Sequence, residues 1–207
     1  MTNGLKETKI INYLDSLFPN PKCELEYSKD YELLIAVVLS AQTTDKKVNE
    51  VTRVLFSKYN TLDKLSKANI DEISDIIRPI GITKKSIYIK GIAKYLIDNC
   101  DSKVPNNKEE LLKMPGVGVK SSNVVLSNLY DYPAIAVDTH VSRVSKRLGY
   151  AKDNDDPLII EKKLEKKFPK DRWARLHHQL VLFGRYYCKS SKPMCDNCLL
   201  KDICKYK

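Results

Sequence analysis

Apolar residues along this chain recur at three- and four-residue intervals and do not alternate, a pattern that predicts helices throughout and no sheet. Ile10, Ile11, Leu14, Leu17 and Phe18 mark a first helix, closed by Pro19 and Pro21. Residues 31–39, Glu32 aside, are apolar on every side, which predicts a central buried helix. Asp45 reads as the cap of a helix carrying Val48, Val51, Leu55 and Tyr59. Helices over 71–78 and 84–99 follow, parted by Pro79, Ile80, Gly81 and Ile82. A helix pair around a glycine-rich turn comes next. Beyond Pro133, helices from Thr139, from Pro157 (capped by Asp156) and from Asp171 lead into a cysteine-rich tail. The fold class is therefore all-α. No apolar run has membrane-spanning length; the longest, 33–39, is 7 residues. With 207 residues the chain can bury a genuine core, in one domain or two small ones, without disulfides. Residues 130–133 offer the best junction between two segments.

The glycine-rich turn lies in LLKMPGVGVKSSNVV, residues 111–125. Asn107 can cap its first helix, with Glu110 placed to complete a capping box, and Pro115 stops it. Gly116 and Gly118 allow backbone angles and close approaches that side chains would block. A second helix then resumes over 119–128, with Lys120 in its first turn. Backbone N–H groups around Gly116, Val117 and Gly118, and at the start of that helix, lie at positive potential and favour a phosphate. Such a helix–hairpin–helix grips a DNA backbone without reading sequence. The plainer alternative is an ordinary turn between helices with glycine as a C-cap.

Charge favours the first reading. Lys and Arg number 36 against 26 Asp and Glu, a net charge of +10, which suits a polyanionic partner. Lysine-rich usage can also follow from genome composition, so charge supports the reading without deciding it.

Cys188, Cys195, Cys198 and Cys204 form C-x6-C-x2-C-x5-C within 17 residues. Four thiolates so close together suit tetrahedral zinc or an iron–sulfur cluster, and spacing alone does not separate the two. Two disulfides are the alternative. The N-terminus shows no secretory pattern, so a cytoplasmic chain with reduced thiols is expected. Cys23 and Cys100 read as small core residues. Asp138, in AIAVDTHVSRV, follows an apolar run and is either a helix N-cap or a carboxylate positioned for chemistry, and it can be both. His140, His177 and His178 lack partnered spacing and read as structural, although His140 and Thr139 are placed for a phosphate or groove contact. Arg143, one turn on, is the stronger phosphate candidate because its guanidinium offers a fork; Lys146 and Arg147 read as solvated basic face.

The hairpin ending in Lys120, Asp138 in its VDTH setting and the cysteine tail occur here in one order and spacing. Together they resemble the endonuclease III family of DNA glycosylases. The resemblance runs from the first helix to Cys204 and takes in LLIAVVLSAQTTD and HHQLVLFGRYYC. It implies two helical lobes beside a DNA-binding cleft. One is a six-helix lobe over 23–132 that holds the helix–hairpin–helix at about 107–130. The other is built from 1–22 and 133–207 and holds a [4Fe–4S] cluster on the four cysteines of 188–204. The resemblance, not the spacing, selects iron–sulfur over zinc. It further implies a monomer that excises oxidised pyrimidines from duplex DNA and cleaves the strand. Gln42 would fill the space left in the duplex and Ile82 would wedge the base step. Members that excise adenine carry a glutamate before the Gln42 region and lack the lysine; here 33–42 holds no carboxylate and Lys120 is present.

The expected chemistry follows from the residue types. The amine of Lys120 attacks C1′ of the deoxyribose, and Asp138 accepts its proton and stabilises charge on the sugar. The resulting iminium acidifies the C2′ hydrogens and allows β-elimination of the 3′ phosphate. Asp138 would face Lys120 across the cleft. Two rival expectations are a monofunctional glycosylase using an Asp138-activated water and a non-catalytic helix–hairpin–helix DNA-binding module.

Overall fold

The computed structural model describes residues 3–81 and 84–206. Eleven α-helices occur among them: α1 (Asn3–Leu17), α2 (Asp30–Leu39), α3 (Asp45–Lys58), α4 (Leu62–Lys67), α5 (Ile70–Ile77), α6 (Lys85–Asn99), α7 (Lys108–Leu112), α8 (Val119–Leu129), α9 (Thr139–Arg147), α10 (Pro157–Lys167) and α11 (Trp173–Tyr186). Every longer regular element among the described residues is helical, and no helix among them is long and apolar enough to cross a membrane. The chain divides into two compact units, Cys23–Tyr130 and Met1–Lys22 with Asp131–Lys207.

In the unit Cys23–Tyr130, α2 is the axis of the core. Beyond its first turn the sequence is apolar on every face, and Leu33, Leu34, Ile35, Ala36 and Leu39 are fully buried. Each such large side chain contributes about 1.5–3 kcal/mol of hydrophobic stabilisation. Helices α3, α6 and α8 pack on it. Glu32 fixes where α2 starts: its carboxylate accepts the backbone N–H groups of Ser28 at 2.8 Å and Lys29 at 3.2 Å. The cap of α3 is Thr44, whose hydroxyl accepts Lys47 N–H, and Asp45 is the first helical residue instead. Helix α4 has only two apolar positions, Leu62 and Leu65, too few for a periodic signal; both are buried. Tertiary packing on α6, not periodicity, makes that helix.

In the other unit, Ile10, Tyr13 and Leu14 of α1 share one buried core with Val141, Val144, Leu176, Leu180 and Phe183. Asp15 of α1 is held by three partners on or just before α11: Arg172 at 2.7 Å, Arg175 at 2.9 Å and Gln179 at 2.8 Å. These bonds hold its carboxyl below the usual range despite partial burial, which acts the other way. Asp156 caps α10 and Pro157 opens it, as the sequence predicts, whereas α11 begins at Trp173 after a short 3-10 turn at Lys170–Arg172.

Candidate functional site

The hairpin between α7 and α8 is built from the glycine and proline chemistry in its sequence. Asn107 caps α7, accepting Glu110 N–H at 2.8 Å. Glu110 does not close the capping box: its carboxylate takes the Tyr95 hydroxyl and the Lys113 ammonium instead. Gly116 has φ +76, and a Cβ there would lie 2.6 Å from the Tyr88 ring. Glycine is therefore required at Gly116 on two counts. Gly118 differs. It is extended, at φ −104 and ψ −180, and a Cβ would meet nothing within 4 Å, so the protein itself does not demand glycine there. The Val117 side chain is buried and its N–H donates to the Met114 carbonyl, so neither is directed outward to a ligand.

Helix α8 starts at Val119 with no side-chain cap on its first-turn N–H groups. Such groups have no intrahelical acceptor and sit at the positive end of the dipole. Lys120 emerges from this turn, exposed, and its ammonium makes no hydrogen bond or ion pair with any described residue. An uncommitted amine thus stands beside an open, uncapped helix start.

Asp138 is the N-cap of α9. The buried run Ala134–Val137 leads into it, and its Oδ1 accepts Val141 N–H at 2.8 Å. Capping and positioning coincide, because the bond fixes the carboxylate at the half-buried head of the helix. Thr139 is exposed and His140 half-buried. Arg143 donates to His140 Nδ1 at 3.1 Å. Arginine is only a donor, so Nδ1 accepts in this contact and the ring N–H is left to Nε2. Arg143 itself is turned inward: its guanidinium donates to the Cys188 carbonyl at 3.0 Å and the Gly184 carbonyl at 2.6 Å. The Nε and Nη2 donors of the fork expected of Arg143 are taken up by the protein's own carbonyls. Gly184 of α11 permits this approach, since a Cβ there would lie 2.8 Å from His140 Cβ.

Cys188, Cys195, Cys198 and Cys204 are free thiols lining one cavity of about 150 Å³, whose walls include Tyr13, Phe183 and Leu200. Burial pushes the Cys198 thiol up, the Leu200 N–H opposes this, and the charges of Cys188, Cys204 and Cys195 add to the rise. Among the described residues no three Cys, His, Asp or Glu side chains lie close enough to hold a single metal ion. The four sulfurs surround a wider space. Cys23 and Cys100 pack against the core of the other unit. Arg147 clasps the loop: it donates to the Cys188 sulfur at 3.3 Å and the Lys189 carbonyl at 2.7 Å, and its carbonyl accepts Lys205 N–H at 2.7 Å. Its guanidinium also stacks 3.9 Å from the Tyr206 ring centre. The solvated basic face expected at Arg147 is instead a brace, visible only once the tail folds back on α9.

Residues 35–170 match the family model of the HhH-GPD superfamily base excision DNA repair proteins. Endonuclease III of Bacillus subtilis (strain 168) is 43% identical over 94% of this chain and 90% of its own length. The chain belongs to the endonuclease III family. A solved structure of a non-covalent endonuclease III–DNA complex has 44% sequence identity and a TM-score of 0.93, covering 99% of this chain and 96% of that one. The same values and coverage apply to a trapped covalent intermediate of endonuclease III with DNA.

For an endonuclease III, the loop after α2 is of direct interest. Gln42 is exposed with φ +65, a left-handed angle costing a non-glycine residue roughly 1–2 kcal/mol. Ile82, the expected wedge, lies outside the described residues. Sequence reading also missed Gly91. This α6 residue seats the Pro115 ring of the hairpin, whose Cγ would lie 2.7 Å from an added Cβ. Gly91→Ala is expected to push the hairpin off α6, destabilising the fold by about 1–3 kcal/mol. Binding to undamaged duplex is expected to weaken several-fold, irrespective of sequence. Thermal melting and titration of a fluorescent duplex at fixed salt check both.

Proposed function

We propose that this endonuclease III family member is a bifunctional glycosylase and abasic-site lyase that removes oxidised pyrimidines from duplex DNA in the cytoplasm, at the nucleoid. The uncommitted Lys120 amine beside the uncapped start of α8 is the observation that carries this reading. The first-turn N–H groups of α8 and the open space at Gly118 take a backbone phosphate, and Thr139 and His140 Nε2 of the other unit offer DNA contacts of their own. The damaged nucleotide is flipped out of the stack, at a cost of a few kcal/mol that is least for a damaged pair. Lys120 Nζ forms a bond to C1′ as the C1′–base bond breaks, and Asp138 accepts the amine proton. Asp138 returns that proton to O4′ as the C1′–O4′ bond breaks, which opens the sugar and leaves an iminium that withdraws electrons from C2′. Loss of a C2′ proton then expels the 3′ phosphate oxygen, and water releases Lys120 from the sugar fragment.

The four cysteines fit a [4Fe–4S] cluster better than a single ion, because they line one apolar-walled cavity without converging on a point. When bound, the cluster supplies cross-linking of the 188–204 loop, and no step above passes through it. Purified protein is expected to show a broad absorbance band reaching into the visible and lost on oxidation; a colourless protein with stoichiometric zinc would reverse this assignment.

Borohydride reduction on a duplex carrying one abasic site tests the lyase. A covalent protein–DNA band is expected. No band, with binding intact, leaves a glycosylase that uses water or, if base release is also absent, a binding module.

A further inference from the structure

Lys85 opens α6 and is only 3% exposed, although its side chain ends in a charge. Its Nζ donates to the Leu39 carbonyl at 2.6 Å and to the Ala41 carbonyl at 2.7 Å. Leu39 is the last residue of α2, so the ammonium lies against the negative end of that helix dipole and satisfies a carbonyl left without an intrahelical donor. Burial lowers the lysine's pKa, and the two carbonyls are the compensation. The Ala41 carbonyl belongs to the peptide group whose nitrogen begins Gln42, the exposed residue at φ +65. Holding that oxygen fixes the peptide plane about which Gln42 turns. The remainder of the loop is tied down locally, by Thr43 N–H on the Ser40 carbonyl and by Thr44 at the head of α3.

We infer that Lys85 is a positioning residue for damage recognition: through the Ala41 carbonyl it holds Gln42 in the left-handed conformation that presents its side chain to the gap in a damaged duplex. This rests on the proposed role of Gln42. A buried lysine is a costly way to close a helix end when an uncharged donor would do. It is explained by the need to hold two carbonyls, one on each side of a residue pair that leaves the helix, at the head of a strained turn.

The test compares affinity for a duplex bearing one stable abasic-site analogue with affinity for the intact duplex, in wild type, Lys85→Met, Gln42→Ala and the double variant. Methionine keeps the length and apolar stem and removes the three donors. Lys85→Met is expected to lose about tenfold in preference for the abasic analogue, matching Gln42→Ala, while intact-duplex binding stays within about twofold. The double variant is expected to be no worse than either single one. A stability role alone would weaken both duplexes alike and leave their ratio unchanged, which overturns the inference. So does a fully additive double variant. An unchanged ratio in Gln42→Ala overturns the role of Gln42 itself, whereas a loss there with none in Lys85→Met overturns only the positioning. Should Lys85→Met fail to fold, Lys85→Gln, which reaches one bond short of both carbonyls, carries the same expectation and the same criteria.

Discussion

Lys120→Ala is expected to abolish covalent trapping and to lower strand cleavage at an abasic site by about 10⁴-fold or more, because removal of a nucleophile removes the pathway and not merely one contact. Fold and duplex binding should persist. The side chain is exposed and makes no bond with any described residue, so its removal opens no cavity. The DNA grip proposed at this point uses backbone groups of α8, which alanine leaves in place and, as a better helix former, supports. Circular dichroism, a binding titration and a gel of the borohydride-treated mixture settle the matter together. Undiminished trapping in the variant would assign the nucleophile to another amine. Loss of binding alongside trapping would make Lys120 a phosphate contact first.

The second large effect is expected at Asp138, where one side chain serves both the fold and the proposed chemistry. Asp138→Asn separates the two. Asparagine caps a helix about as well as aspartate, so the bond to Val141 N–H and the start of α9 are retained. The change in stability is expected to stay within about 1 kcal/mol, the size of the charge–dipole contribution lost. A neutral amide accepts no proton and stabilises no cationic sugar, so base release is expected to slow by about 10²–10³-fold. Single-turnover base release measured beside thermal melting gives both quantities. Asp138→Ala serves as the contrast, since it should lose the cap as well, at a further cost of about 1 kcal/mol. Equal turnover in wild type and Asp138→Asn would leave Asp138 a cap and nothing more.

The helical class was legible because its signal is local. Apolar spacing and capping residues such as Asn107, Asp138 and Asp156 act within one turn, and each of these caps is present. The family was legible from three motifs in fixed order. What the sequence could not show is direction over long range. Arg143 and Arg147 look like exposed basic positions on α9, yet both turn onto carbonyls near Cys188, more than 40 residues away in sequence. Helix α4 hides because it has two apolar residues and borrows its stability from α6. Gly91 and Gly184 carry no local signature, since their value lies in the Cβ that is missing against Pro115 and His140. Lys85 reads as one more cation in a lysine-rich chain until its burial is known.

Helix α1 belongs to a unit whose other members all lie beyond Asp131. During synthesis, Ile10 and Leu14 leave the ribosome with no native partner, and the bond from Lys6 to the Leu148 carbonyl spans 142 positions. Cys23–Tyr130 has its own core and can be complete while that apolar face still waits. The interval is a window for aggregation or chaperone capture, and it closes only when α9 and α11 have emerged. A chain cut short before α11 therefore loses more than its cysteines: it leaves α1 uncovered and prone to stick to whatever it meets.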